Sequence, residues 1–391
     1  MSEAPHTRAV PGRLLEVDLG RCLAMLAVLA IHANAWMGRD GGGAAVYPAL
    51  DRLLRFCVPV FVILTGYVLT RTAGTGRLDR ARFARRRALR LAVPFAGWLL
   101  VYLAAGLLLG TARPASLLDV PALVWDGTAG GHLYYLAVAA QLALLFAALP
   151  RGPRASLALL AVAVPVQLGL SGLRALGWVP GGPLGAVFGH QAQWFAVWWV
   201  GCYAAGGAAA WYHRPLRRVL EAHRAVAVAL AAPVAALAVA DMARAGASGY
   251  DAFFRPSTLA LSVAVAGALW ALATAVPAAA GRSRALLAAL ADRSLGVYLV
   301  HPLVLLGAGR LVQSGALPLA FHGPLWVTAP TLALLVAAVL AGSLAAVEAL
   351  LTLPGGAPLV GERRRRPPGA TAAAPGRLPA GPTATLDRAS T

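Results

Sequence analysis

The sequence predicts an all-α, polytopic transmembrane helical bundle of about ten spans with both termini in the cytoplasm. Of its 391 residues, 59% are hydrophobic and only 13% are charged. The apolar residues form repeated runs of about 20, the length that an α-helix needs to cross a hydrocarbon core of ~30 Å. These runs are continuous and do not alternate with period two, which favours helices over the strands of a membrane barrel.

The loops between the apolar runs alternate in charge. The chain has no lysine, and 25 of its 34 arginines lie in 1–16, 71–90, 151–154, 212–224, 281–293 and 355–391. Cytoplasmic loops carry an excess of basic residues, so this set is predicted to be cytoplasmic, and an odd number of spans would break the alternation. The predicted spans are 17–37, 45–70, 88–112, 132–150, 155–171, 191–211, 223–244, 255–280, 294–312 and 324–354.

The chain divides into three parts: a cytoplasmic N-terminal segment at 1–13, a membrane domain at 14–354 and a disordered basic cytoplasmic tail at 355–391. The tail is rich in Pro, Ala, Gly and Thr, a composition that cannot form a core. Its four arginines at 363–366 are expected to contact anionic headgroups of the inner leaflet. We predict a multi-pass protein of the cell (plasma) membrane, with membrane lipids as partners.

Cleavage of the first span as a signal peptide is an alternative. An apolar stretch after Arg8 and Arg13 ends near Ala35, and removal at that point would leave nine spans. Asp18 and Arg21 stand close to the apolar run, which argues against a signal peptide.

The sequence does not indicate a nucleic acid or a metal ion as a partner. The net charge of +19 does not predict nucleic acid binding, because the arginines lie in short clusters between apolar runs and not along one face. Cys22, Cys57 and Cys202 all lie within apolar runs and have neither a disulfide framework nor metal-ligand spacing. We therefore expect no nucleic acid and no bound metal.

Ionisable residues inside predicted spans are costly and are functional candidates by default. Arg21 and His32 are 11 residues apart on the first span, which places them on one helix face, ~16 Å apart along the axis. Arg55 lies about one turn inside the second span. Arg87 and Arg90 lie one turn apart at the start of the third, where guanidinium groups suit phosphate. The plainer alternatives are Arg21 as a snorkelling anchor, His32 as an interfacial histidine and the basic stretch as a topology signal, whereas Arg55 is harder to explain in this way.

Five short motifs resemble, in order along 13–350, the signature of the bacterial acyltransferase 3 family of integral membrane O-acyltransferases. Thr65 replaces the family's usual serine, Val62 its preferred phenylalanine and Tyr134 its common tryptophan. The motifs are Arg21-x10-His32, the stretch from Pro59 to Tyr67, Arg87-x-x-Arg90, His132-Leu133-Tyr134-Tyr135-Leu136, and Tyr298-Leu299-Val300-His301-Pro302.

The resemblance implies transfer of an acyl group, usually acetyl, from acyl-CoA as cosubstrate to a hydroxyl of a cell-surface glycan, lipid-linked sugar or small molecule. Carried over by position, His32 is the essential histidine, and Arg21, Arg87 and Arg90 are the essential arginines. We expect the arginines to hold the phosphates and His32 to act as general base, with a transient acyl-histidine left open. Arg55, His132, Tyr134, Tyr298 and His301 complete the predicted donor or acceptor site, and Tyr134, Tyr298 and Thr65 are candidate oxyanion donors.

His132 and His301 are each also explained as hydrogen-bonded core histidines. A proton-coupled transporter or glycan exporter is the rival function, because intramembrane arginine and histidine also suit a carrier. Against it, the sequence has no evident internal repeat or inverted pair of broken helices. A carrier moves its solute without acyl-CoA, whereas an acyltransferase releases free CoA.

Overall fold

The computed structural model describes residues 13–39, 47–73, 78–109, 117–126, 130–189, 191–277, 281–316 and 323–362. Within them every regular element is a helix, which confirms the predicted all-α class. The α-helices are α1 Leu15–Arg39, α2 Pro48–Leu53, α3 Cys57–Ala73, α4 Arg80–Leu108, α5 Val120–Trp125, α6 Tyr134–Ala148, α7 Pro153–Ala175, α8 Pro183–Phe188, α9 Val200–Trp211, α10 His213–Ala222, α11 Arg224–Arg244, α12 Pro256–Ala275, α13 Gly281–Gln313, α14 Leu325–Thr352 and α15 Gly356–Leu359.

Eight helical segments of the described chain are long and apolar enough to cross a membrane. They coincide with eight of the ten predicted spans, and the other two predicted spans correspond to α1 and α9. α1 has 25 residues but carries Glu16 and Asp18 in its first turn. α9 has only 12 residues. A polytopic helical bundle is therefore confirmed, whereas the count of ten crossings stays a prediction.

The basic stretches that the sequence assigns to loops are helical. α4 begins at Arg80, with Asp79 as its N-cap accepting a hydrogen bond of 3.0 Å from the backbone N–H of Arg82. α13 begins at Gly281 and runs for 33 residues, about 50 Å of helix against a hydrocarbon core of ~30 Å. Arginine is a good helix former, so both helices continue past the apolar run in their basic turns.

The tail begins later than the sequence predicts. Residues 355–362 pack against the bundle: α15 lies on α4, where the indole N–H of Trp98 donates a hydrogen bond of 2.9 Å to the Leu359 carbonyl. Val360 is buried, so this segment has an apolar anchor that composition alone does not reveal. The remaining tail, including the four arginines at 363–366, and the N-terminal residues 1–12 lie outside the described residues.

Contacts between helix ends place the predicted basic segments together. Arg13, two residues before α1, pairs with Asp292 on α13 at 3.1 Å, and Arg293 pairs with Glu348 near the end of α14 at 2.5 Å. Arg80 at the start of α4 donates a hydrogen bond to Ala148 at the end of α6. We call this end of the bundle the arginine-rich end. Its assignment to the cytoplasm stays a prediction.

α3 and α9 cross in direct backbone contact. A Cβ at Gly66 would overlap the carbonyl oxygen of Tyr203, and one at Gly206 would overlap the carbonyl oxygen of Ile63. Apolar burial drives helix association weakly in lipid, so close packing at small residues contributes much of the contact energy. The small residues of α9 thus hold a short helix deep in the bundle.

Two glutamines support the backbone before α9 and at its first turn. Gln141 accepts a hydrogen bond from the Ala196 N–H at 3.0 Å and donates one to the Trp194 carbonyl at 2.7 Å. Gln167 accepts one from the Gly201 N–H at 2.8 Å. Backbone that leaves the helical path at membrane depth needs such partners, which explains how α9 is reached through two 3₁₀ turns.

We predict that Gly206→Ala destabilises the protein, because the new methyl group must push α3 and α9 apart at the cost of about 1–3 kcal/mol. Thermal unfolding in detergent measures this as a lower midpoint. Gly169→Ala on α7 is the matched control, since a Cβ there has no neighbour within 4 Å. An unchanged midpoint for Gly206→Ala would contradict the close crossing.

Candidate active site

A cavity of about 730 Å³ opens among α1, α3, α4, α6 and α13 at the arginine-rich end. We call it the arginine cavity, after Arg21, Arg87, Arg90 and Arg293, which all line it. The first three come from two different helices and are the arginines that the family resemblance implies to be essential. The structure therefore brings these three predicted arginines together in one concave site, with Arg293 as an addition and without Arg55.

The four arginines differ in how they are paired. Arg293 forms ion pairs of 2.5 Å with both Glu348 and Glu362. Arg90 donates two hydrogen bonds, of 3.0 and 3.3 Å, to the Gly361 carbonyl. Arg21 and Arg87 form no hydrogen bond or ion pair with any described residue. Their guanidinium groups are consequently available to an anion that enters the cavity.

A layer of hydroxyl side chains lines the deeper wall of the cavity. The hydroxyl groups of Thr65 and Tyr135 are 3.1 Å apart, and the rings of Tyr135 and Tyr298 have centroids 5.8 Å apart. Tyr298 extends beyond this layer, because its hydroxyl donates a hydrogen bond to the His132 carbonyl. Tyr298 is thus the physical link between the cavity and the histidines.

Three histidines from separate parts of the chain meet next to Tyr298. The His301 ring centroid lies 5.0 Å from that of His32 and 5.6 Å from that of His132. His132 and His301 are buried, whereas His32 is partly exposed. We call His32, His132 and His301 the histidine cluster.

The hydrogen bonds of His301 indicate its tautomer. Its Nδ1 lies 2.7 Å from the Tyr298 carbonyl oxygen, which can only accept, so Nδ1 carries the proton. In the neutral ring Nε2 then presents a lone pair. Neither His301 Nε2 nor His132 Nε2 has a hydrogen-bond partner among the described residues. Buried polar nitrogens of this kind suit a site that receives a polar ligand.

α1 and α13 together connect the cavity with the cluster. On α13, Tyr298 lines the cavity and His301 belongs to the cluster. On α1, Arg21 lines the cavity and His32 belongs to the cluster. These two residues are separated by ~16 Å of helix rise. The face that Arg21 and His32 were predicted to share is therefore the face that α1 turns towards α13.

Two predicted site residues lie elsewhere. Arg55 is buried in an ion pair of 2.5 Å with Asp51, and its guanidinium stands 5.0 Å from the Phe253 ring centroid. Tyr134 is buried and stacks on Trp199. Neither residue lines the arginine cavity. Of the candidate oxyanion donors, Thr65 and Tyr298 line it and Tyr134 does not.

Three residues of the site were missed. Tyr135 has a usable sequence signal, since it is only three residues after His132, and in the structure both rings contact Tyr298. Arg293 would have been found had the predicted helix been extended back through the basic stretch. Glu362 has no local signal, because only tertiary contacts bring it into the cavity.

The family model for an acyltransferase domain matches residues 14–348, which is most of the chain and includes all five motifs. No curated protein and no solved structure matches the sequence. Because the family model matches most of the chain, it establishes the family to which the chain belongs. The chain belongs to the acyltransferase 3 family and is a membrane acyltransferase.

Proposed function

We propose that the protein transfers an acyl group, most simply acetyl, from acyl-CoA to a hydroxyl of a cell-surface glycan, lipid-linked sugar or similar acceptor. One observation carries this proposal. Two arginines that form no hydrogen bond or ion pair with the described residues, Arg21 and Arg87, lie in a cavity whose inner wall continues along α1 and α13 to a cluster of three histidines.

The donor suits this arrangement in charge and length. Coenzyme A carries its phosphates at one end and its thioester at the far end of a long flexible arm. Guanidinium groups bind phosphate through paired, charge-assisted hydrogen bonds, so Arg21 and Arg87 hold the anionic end. The arm then extends along α1 for ~16 Å, which brings the thioester to His32.

His32 acts as general base in this proposal. Its neutral imidazole takes the proton of the acceptor hydroxyl as the oxygen attacks the thioester carbonyl carbon. The carbon–sulfur bond then breaks, and the departing thiolate of CoA recovers the proton from the imidazolium. The products are an ester of the acceptor and free CoA. An acyl-histidine that is resolved by the acceptor is the second route with the same products.

The acceptor enters from the end of the bundle opposite the arginine-rich end. His32 lies only seven residues before the end of α1 at Arg39, about 10 Å of helix rise. Donor and acceptor therefore approach the histidine cluster from opposite ends. If the arginine-rich end faces the cytoplasm, the acceptor is at the outer face of the membrane.

We predict that His32→Ala lowers the rate of acyl transfer by at least ~10²-fold, because loss of a general base removes that much of the rate enhancement. The assay measures free CoA thiol released in vesicles that contain the protein, acetyl-CoA and a glycan acceptor. His223→Ala is the control, since His223 is exposed between α10 and α11. Full activity of His32→Ala at normal protein abundance would exclude the mechanism.

We predict that Arg87→Ala raises the KM for acyl-CoA by about 10- to 100-fold, which corresponds to the loss of a charged hydrogen bond. The effect on kcat is smaller, because Arg87 contacts the anionic end and not the thioester. Arg86→Ala is the matched control: the neighbouring side chain is exposed and does not line the cavity. Equal KM values for the two variants would place the phosphates elsewhere.

A further inference from the structure

Residues 355–362 form a strap across the arginine cavity, and we call them the C-terminal strap. The family match ends at residue 348, so the strap lies beyond the matched residues. Trp98 on α4 donates a hydrogen bond to the Leu359 carbonyl, and Val360 is 1% exposed. A side chain at Gly97 would collide with Leu359. The strap is therefore packed tightly into the bundle.

The last residues of the strap form one wall of the arginine cavity. Val360, Gly361 and Glu362 all line it. The Gly361 carbonyl accepts hydrogen bonds from Arg90, and the Glu362 carboxylate pairs with Arg293 at 2.5 Å. The strap thus engages two of the four cavity arginines, and it introduces a negative charge into a site built to receive anions.

We propose that Glu362 is a specificity-determining residue that competes with the ligand for Arg293. Its carboxylate occupies the place that an anionic group of the ligand would take on this arginine. The ligand's phosphates are thereby confined to the side of Arg21 and Arg87. This proposal rests on the proposed function in taking CoA as the ligand.

Glu348 provides an internal comparison. It also pairs with Arg293 at 2.5 Å, but its side chain is 59% exposed, whereas that of Glu362 is 19% exposed. Only Glu362 lines the cavity. A charge next to the bound anion acts over a short distance with little screening, while a more exposed charge outside the cavity is screened by water and salt. A comparison of variants at the two glutamates therefore distinguishes competition for the ligand within the cavity from the simple loss of an ion pair with Arg293.

The test compares Glu362→Gln with Glu348→Gln in the full chain, both of which preserve shape and remove charge. Calorimetric titration with CoA should show Glu362→Gln binding roughly tenfold more tightly than wild type, with Glu348→Gln within about twofold. The gain should be smaller for dephospho-CoA, which has one phosphate group fewer. If wild type binds CoA, then weaker or unchanged binding of CoA by Glu362→Gln, or an equal gain for both ligands, would overturn the proposal.

Titration with inorganic pyrophosphate separates this proposal from the donor assignment. If wild type fails to bind CoA but Glu362→Gln binds pyrophosphate more tightly than wild type, CoA is not the donor, and competition by Glu362 for Arg293 is supported. If wild type binds CoA and Glu362→Gln gains affinity for neither anion, Glu362 does not compete for Arg293, and CoA remains the proposed donor. No gain for either anion together with no binding of CoA would exclude both.

Discussion

The alignment of α1 against α13 is the constraint on which the site depends. Asn34 fixes the far half of α1 by exchanging hydrogen bonds of 2.9 and 3.0 Å with the backbone of Tyr47, and Arg13 ties its start to Asp292. Between these ends, Gly309 leaves the room on α13 that the Trp36 ring fills. A shift of α1 by one turn would break these contacts together. The same alignment holds His32 beside His301 and places Arg21 in the cavity that Tyr298 lines.

The positive charges of the site are not all neutralised, and the uncompensated ones lie at one end of it. Buried Arg55 is neutralised by Asp51, and Arg293 is neutralised by two glutamates, so neither arginine leaves an uncompensated positive charge. Arg21 and Arg87 lack such partners in the described chain and leave positive charge in the cavity. An unpaired cation in a membrane protein is costly, and it is usually retained for a ligand. The hydroxyl layer and the histidines then follow inward, which orders the site from anion binding to proton transfer.

Much of this arrangement is predictable from local patterns. The lengths of apolar runs locate the helices, and the spacing of 11 residues places Arg21 and His32 on one face. The histidine cluster is not predictable in this way, because His32, His132 and His301 meet only through packing of distant segments. The sequence motif likewise points to Tyr134, whereas Tyr135 lines the cavity, because two adjacent tyrosines in a sequence do not show which one faces inward. Glu362 was missed because residues 355–362 look like a tail in composition and gain their structure from contacts with α4 and α13.

A cryo-EM structure of the protein with bound CoA would locate both ends of the ligand at once. We expect phosphates within hydrogen-bond distance of Arg21 and Arg87 and the sulfur atom beside His32, with the arm between α1 and α13. Phosphates bound away from Arg21 and Arg87, or a sulfur atom far from the histidine cluster, would show that the donor does not bind along α1.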